Sequence, residues 1–338
     1  MDIPNIYEWK HYKKLLIIPI ILTIISFFYV FHIKTGIEFS GGTLITAPIS
    51  KDIDVNKLKR EILNSYNLVE LDVRQTGSQL ARGIYIQFAG ERSLIAARDA
   101  FNRGDFATTI QICKAFTGEL NVSGNSSEVA ATYFSNANEK FKNSLIAFIS
   151  EKTGTPISDF SIRDVGPSLG ALFWEQAKNA IILAFIFIIV LVFLFFREAI
   201  VSLAVIQAAF FDVLIAAAFI AFMDMPLSLV TIAPLLMLIG YSVDSDIMLT
   251  DRILKRKTGT IYERAKSAFK TGITMTGTTI GAVSSLYLIS TAVGIEVLSN
   301  ISMILLVGLF ADLISTWITN VSLVLWAAER KLKKKGRL

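Results

Sequence analysis

The stretch LLMLIGYSVDSDIMLTDRILKR, Leu235 to Arg256, places two aspartates, Asp244 and Asp246, inside a run apolar enough for a lipid bilayer. A carboxylate near the centre of a spanning helix costs roughly 2.5–3.5 kcal/mol on insertion scales. Side chains of that cost face a bundle interior or water, and they mark ion or substrate paths. The bland alternative is a pair that holds neighbouring helices through hydrogen bonds. One residue is ~100° of helical rotation, so the two carboxylates point ~200° apart and do not share a direction.

The rest of the chain fits that membrane reading. Of 338 residues, 53% are hydrophobic and only 18% charged, and the apolar residues fall in long runs, the signature of an integral membrane protein. One cysteine, Cys113, excludes an intrachain disulfide framework, and two histidines, His11 and His32, leave no histidine-based metal site. No cofactor is expected. The net charge of +5 is no nucleic-acid signal, because the basic residues cluster beside apolar spans.

Six candidate spans follow: about Leu15–Val30, Ala177–Phe196, Ala199–Phe222, Leu229–Thr250, Thr271–Thr291 and Ile301–Ala327. Each approaches the length needed for a ~30 Å core, the first being short. The segment between spans four and five carries seven basic residues and the tail ERKLKKKGRL six. The opposite loops MDMPLS and AVGIEVLSN carry none, so the positive-inside rule puts both termini in the cytoplasm. The organisation is a cytoplasmic N-terminus and first span over 1–32, an external domain over 33–176, a five-helix core over 177–327 and a basic tail over 328–338.

The external region is patterned. GIEFSGGTLITAPI reads as a strand interrupted by Gly-Gly. DVNKLKREILNSY reads as a helix with Asp54 as N-cap, and LVELDVRQT and GIYIQFA alternate like strands across the turn-rich GSQLAR. A long helix then stops at Gly154, and PISDFSIRDVG is a last strand. The order is βαββαβ, the split βαβ or ferredoxin-like arrangement. An insertion over about 91–127 resembles one helical hairpin with Gly104-Asp105 at its turn. Asn121 and Asn125 open glycosylation sequons there. FSGG lacks the Gly-Lys-Ser/Thr ending of a phosphate loop and opens no helix, which argues against nucleotide binding.

Three motifs stand in order: GIEFSGGTL with Gly36, Gly41 and Gly42; DVGPSLG with Gly166 and Pro167; and GYSVDSDIMLTDRI with Gly240, Ser242, Asp251 and Arg252. Together they resemble the SecD/SecF family of protein-export membrane proteins, on its SecF side and in its archaeal form, over nearly the whole chain. The resemblance implies work with SecD at the Sec translocon on an emerging polypeptide, within membrane lipids, driven by an ion gradient. Bacterial relatives read Gly-Tyr-Ser-x-Asn-Asp-Thr in the fourth span, so their Asp falls on Ser245. Asp244 matches the acidic position of the partner's V-D-A motif and is the leading candidate, with Asp246 second. Asp212 matches the acid of a His-Asp pair whose histidine is Phe211 here. Asp312 stands where the family commonly has glycine, and Lys270 where it commonly has arginine.

The bland reading of Asp212 and Asp312 is a buried carboxylic acid kept neutral by apolar surroundings. Gly277 and Gly281, four residues apart beside Thr274 and Thr278, are expected to let a neighbouring helix pack closely. DVGPSLG reads as a hinge, with Pro167 at the start of the next helix. A half-size small-molecule exporter of the resistance–nodulation–division type is the alternative. It is disfavoured because those chains usually carry twice this core. A membrane enzyme is disfavoured because the external region holds no Cys–His, Ser–His or metal-spaced cluster.

Overall fold

The structure, a computed structural model, describes Tyr7 and residues 12–49, 51–77, 82–256 and 258–334. Residues 78–81 of the expected GSQLAR turn, His11, Lys257 and the last part of the basic tail lie outside the described residues. The chain divides into two compact units, one of Met1–Gly36, Trp174–Thr291 and Ile295–Leu338, the other of Ile37–Phe173 with Ala292–Gly294.

Helix α1 (Ile17–Val30) tolerates Pro19 because its first turn needs no N–H from that position. Helix α2 (Ile37–Ser40) corrects the first expected strand. Gly41 donates its N–H to the Ile37 carbonyl at 2.9 Å and closes a helical turn. Strand β1 (Gly42–Ile49) starts only after Gly41 and Gly42, whose φ values of +76° and +134° favour glycine. A Cβ on Gly42 would lie 2.5 Å from the Phe88 carbonyl oxygen, and one on Gly41 2.8 Å from the Pro167 Cα. The SGG and GPSLG motifs therefore meet in space.

Helix α3 (Val55–Ser65) begins at Asp54, whose carboxylate accepts from the Lys57 N–H at 3.0 Å. Strands β2 (Leu68–Val69), β3 (Asp72–Gly77), β4 (Arg82–Phe88) and β5 (Gly90–Glu91) follow. Helices α4 (Arg92–Asn102) and α5 (Phe106–Thr117) form the inserted hairpin, turning at Gly104 with φ +81°. Helix α6 (Ser126–Thr153) opens on a reciprocal Asn125–Glu128 capping box and ends at left-handed Gly154. Strand β6 (Ser161–Val165) completes an antiparallel sheet in the order β3-β4-β1-β6. Alternate residues Ile45, Ala47 and Ile49 of β1 and Ile84, Ile86 and Phe88 of β4 face Tyr133, Phe141 and Leu145 of α6 in one core.

The remaining helices are α7 (Pro167–Phe196), α8 (Ala199–Phe222), α9 (Leu229–Lys255), α10 (Ile261–Val293), α11 (Glu296–Ile314) and α12 (Val321–Lys334). A π-helical turn, Ser315–Asn320, joins the last two into one apolar rod. Among the described residues five helices are long and apolar enough to cross a membrane, and Lys14–Val30 is a shorter apolar helix. Helix α7 starts at Pro167, as expected of a proline at the first helical position, ten residues before the apolar span that begins near Ala177.

Helices α8, α9 and α11 carry most of the buried surface of their unit. Gly308 brings α11 onto α9, where a Cβ would fall 2.2 Å from Leu238 Cδ1. Gly272 takes the Trp317 ring, which a Cβ would meet at 2.1 Å. The expected packing at Gly277 and Gly281 is not formed among the described residues. Nothing lies within 4 Å of a Cβ at either, because that stretch of α10 faces outward.

Candidate functional site

Helix α9 turns Ser242, Ser245, Asp246 and Leu249 to one buried face, the i, i+3, i+4, i+7 spacing of a core stripe. Asp212 on α8 and Asp312 on α11 are buried against it. Asp246 and Asp212 are 0% exposed and Asp312 2%, so the three acids lie in the bundle interior. Asp244, two residues before Asp246, is exposed on the outer side of α9.

The π-helical turn supplies the contacts. Ser315 donates its hydroxyl to Asp212 Oδ1 at 2.7 Å. The Thr316 hydroxyl lies 2.8 Å from Asp246 Oδ1 and 3.0 Å from Asp312 Oδ1. Asn320 donates its side-chain N–H to Asp246 Oδ1 at 2.6 Å. One turn of one helix thus touches all three acids, and π-turns of this kind are frequent at functional sites. The Ser242 hydroxyl faces Asp212 and Asp312, and Ser245 faces Asp312. Oδ2 of Asp212, Oδ2 of Asp246 and the side-chain oxygen of Asn320 are buried with no hydrogen-bond partner among the described residues.

Among the described residues no lysine or arginine pairs with these carboxyls. Lys270, the basic candidate on α10, is exposed. Arg252 instead ties α9 to α10, donating to the Ser267 carbonyl at 2.9 Å and to the Thr271 hydroxyl at 2.8 Å. Asp251 pairs with Lys255 at 3.0 Å one turn on. The carboxyls of Asp246 and Asp312 touch the same hydroxyl. Two negative charges ~6 Å apart at an effective dielectric of ~20 repel by roughly 3 kcal/mol. The cluster therefore favours at most one charge on that pair, and gain or loss of a cation changes its energy strongly.

Sequence reasoning singled out the acids but not Ser315, Thr316 or Asn320. Their signal was present in ADLISTWITN, polar residues at helical spacing after Asp312. Among the described residues no group of three or more His, Cys, Asp or Glu converges as a metal site. The α+β unit holds a groove of about 590 Å³ between α4, α6 and the sheet end, lined by Phe88, Leu94, Phe134, Lys142 and Asp164.

The profile of the family described as protein export membrane protein SecD/SecF, C-terminal, matches residues 146–330. The protein-export membrane protein SecF of Methanothermobacter thermautotrophicus is 32% identical over 327 residues, covering 95% of this chain and 94% of that one. Its namesake in Methanocaldococcus jannaschii is 32% identical over 330 residues, covering 96% and 99%. The fold is similar to the crystal structure of SecDF, a translocon-associated membrane protein from Thermus thermophilus, with a TM-score of 0.69 at 18% identity. That match covers 95% of this chain but only 39% of the other.

Proposed function

Because the chain belongs to the SecD/SecF family of protein-export membrane proteins, we propose that it is the SecF half of a SecD–SecF assembly and couples export to an ion gradient through Asp246, Asp312 and Asp212. Its role in protein export and its multi-pass membrane character follow from the family and the apolar helices. The observation that carries the coupling is the buried cluster itself, three acids joined by one helical turn, with no lysine or arginine pairing with them among the described residues. Uptake of a cation removes the repulsion, and its release restores it. A packed bundle with two arrangements converts that difference into movement.

This reading moves the lead from Asp244 to Asp246. Asp244 faces away from its own chain, where a carboxylate against lipid is costly. A helix of SecD bearing a donor at that depth removes the cost, and the longer SecDF chain leaves room for such a partner. The external unit carries the split βαβ arrangement, supported by a strand order with the first and third long strands at its centre. Its groove offers apolar and charged lining to an emerging polypeptide.

Export into membrane vesicles, with and without an imposed gradient, tests the coupling. Asp246→Asn and Asp312→Asn are expected to lose ~10-fold or more of the gradient's stimulation. Asp244→Asn is expected to keep it while retaining less SecD on purification. Full stimulation in both Asp246→Asn and Asp312→Asn would sink the proposal.

We also place both termini in the cytoplasm, with Lys14–Val30 crossing as the sixth span. The excess of lysine and arginine over residues 251–270, around the α9–α10 connection, supports this. Single cysteines at Glu263 and Ser135, in a chain lacking Cys113, should label from opposite sides of the membrane. Labelling from one side rejects the topology.

A further inference from the structure

We propose that the Thr316 hydroxyl is a proton relay between Asp312 and Asp246, held in line by the π-helical turn Ser315–Asn320. It rests on the coupling reading above and adds the atom through which the ion passes.

A hydroxyl brings one hydrogen and two lone pairs. Thr316 Oγ1 lies 2.8 Å from Asp246 Oδ1 and 3.0 Å from Asp312 Oδ1. Both contacts are hydrogen bonds only when one carboxyl brings its own hydrogen. Asp246 Oδ1 also accepts the Asn320 N–H at 2.6 Å. With the hydrogen on Asp312, its O–H donates to Thr316 Oγ1 and the Thr316 O–H donates to Asp246 Oδ1; with the hydrogen on Asp246 the same chain runs the other way.

The transfer balances. The Asp312 O–H bond breaks as a new O–H bond forms at Oγ1. The original Oγ1–H bond breaks as an O–H bond forms on Asp246. Thr316 ends with one hydrogen as it began. One proton has moved from Asp312 to Asp246, and the negative charge has moved the other way. The proton of the gradient is the only reactant.

The surroundings keep this path short. Asp212 from α8 and Ser242 and Ser245 from α9 face the same space, and no described cation does. Thr316 and Asn320 are fully buried. Asn320 is a positioning residue, since it fixes the Asp246 oxygen that receives the proton. Ser315 joins Asp212 to the same turn, so a charge arriving at one acid acts on the segment that holds the others.

Thr316→Val keeps the shape and removes the hydroxyl, and Thr316→Ser restores it. With a proton gradient across export vesicles, Thr316→Val is expected to lose ~10-fold or more of the stimulation and Thr316→Ser to keep most of it. Full stimulation in Thr316→Val overturns the relay, as does equal loss in Thr316→Ser, which would assign Thr316 to packing. A sodium gradient driving export with no proton gradient also overturns it. Should Thr316→Val fail to accumulate, Thr316→Cys, with a weaker donor, takes its place, and full stimulation there is equally fatal. The infrared C=O stretch of protonated Asp312, identified by its loss in Asp312→Asn, supplies a readout independent of export. It should shift in the Thr316 variants, and an unshifted band overturns the relay. Wild-type protein with no gradient stimulation but a shifting band would instead reject the coupling reading and leave the hydrogen-bonded chain standing.

Discussion

The α+β unit and the membrane unit place their polar residues by opposite rules. In the first, polar side chains mark where elements begin. Asp54, Glu91, Asp105 and Asn125 each accept a backbone N–H at a helix start. The apolar residues of that unit alternate, and the alternation decides which face is buried. In the membrane unit nearly everything is apolar, so hydrophobicity no longer says which face is inside. There the few polar groups decide it, since an acid that cannot face lipid must face another helix. Burial follows hydrophobicity in one unit and cost in the other.

Glycine substitutions can break this comparison. The largest effect is expected in the α+β unit at Gly42, where φ is +134° and an added Cβ would meet a backbone oxygen at 2.5 Å. Gly42→Ala should cost ~2 kcal/mol or more, because neither strain nor clash relaxes by rotating a side chain. Gly272→Ala comes next. Its Cβ would strike the Trp317 ring, which packs in turn on Phe269 and can shift only by disturbing the π-turn. A loss of ~1–3 kcal/mol is expected. Gly277→Ala should cost nothing and gain up to ~1 kcal/mol in the purified single chain, since alanine favours the helix and no described residue lies against it. Thermal unfolding in detergent reads all three. A Gly277→Ala loss as large as that of Gly272→Ala would mean that α10 is packed along its length. Destabilisation by Gly277→Ala only with SecD present would sharpen the comparison, locating close packing between chains.

Much of the α+β unit was legible because its signals are local. Asp54, Gly154 and the Gly104-Asp105 turn each act within one turn of chain, and the structure uses all of them. The helix at Ile37–Ser40 was not legible. IEFS alternates like a strand, whereas the chain closes a helical turn from Ile37 to Gly41, whose backbone lies close to Pro167, far along the chain. In the membrane unit Asp212, Asp246 and Asp312 were legible as costly residues. Which of Asp244 and Asp246 faces inward was not, since both neighbours of Ser245 fit an apolar helix equally well. Ser315, Thr316 and Asn320 were hidden for a different reason. Hydroxyls in spanning helices commonly bond their own backbone one turn back, as Thr274, Ser285 and Ser302 do. That habit masks the few that reach across. The π-turn leaves no local signature in ISTWITNV at all.

The smallest effect tests the local rule at a single cap. Asp105 accepts the Thr108 N–H at 3.1 Å at the start of α5. Hydrogen bonds from the Thr108 side chain and backbone, with the nearby Arg103 charge, hold its carboxyl below the ordinary range. A group with a depressed folded pKa stabilises above its unfolded value, and that contribution disappears as pH falls through the folded value. The protection of the first-turn amides of α5 against hydrogen exchange should therefore weaken as the solution is acidified below the usual carboxylate range. Asn caps nearly as well as Asp but carries no titrating charge. Asp105→Asn should keep the helix start at neutral pH and lose its acid sensitivity, with protection compared to wild type at each pH. An equal acid response in Asp105→Asn would assign the sensitivity elsewhere. It would also show that even in the α+β unit a cap can be chosen for its hydrogen bond rather than its charge. That would narrow the difference between the two units to where polar groups sit, not what they carry.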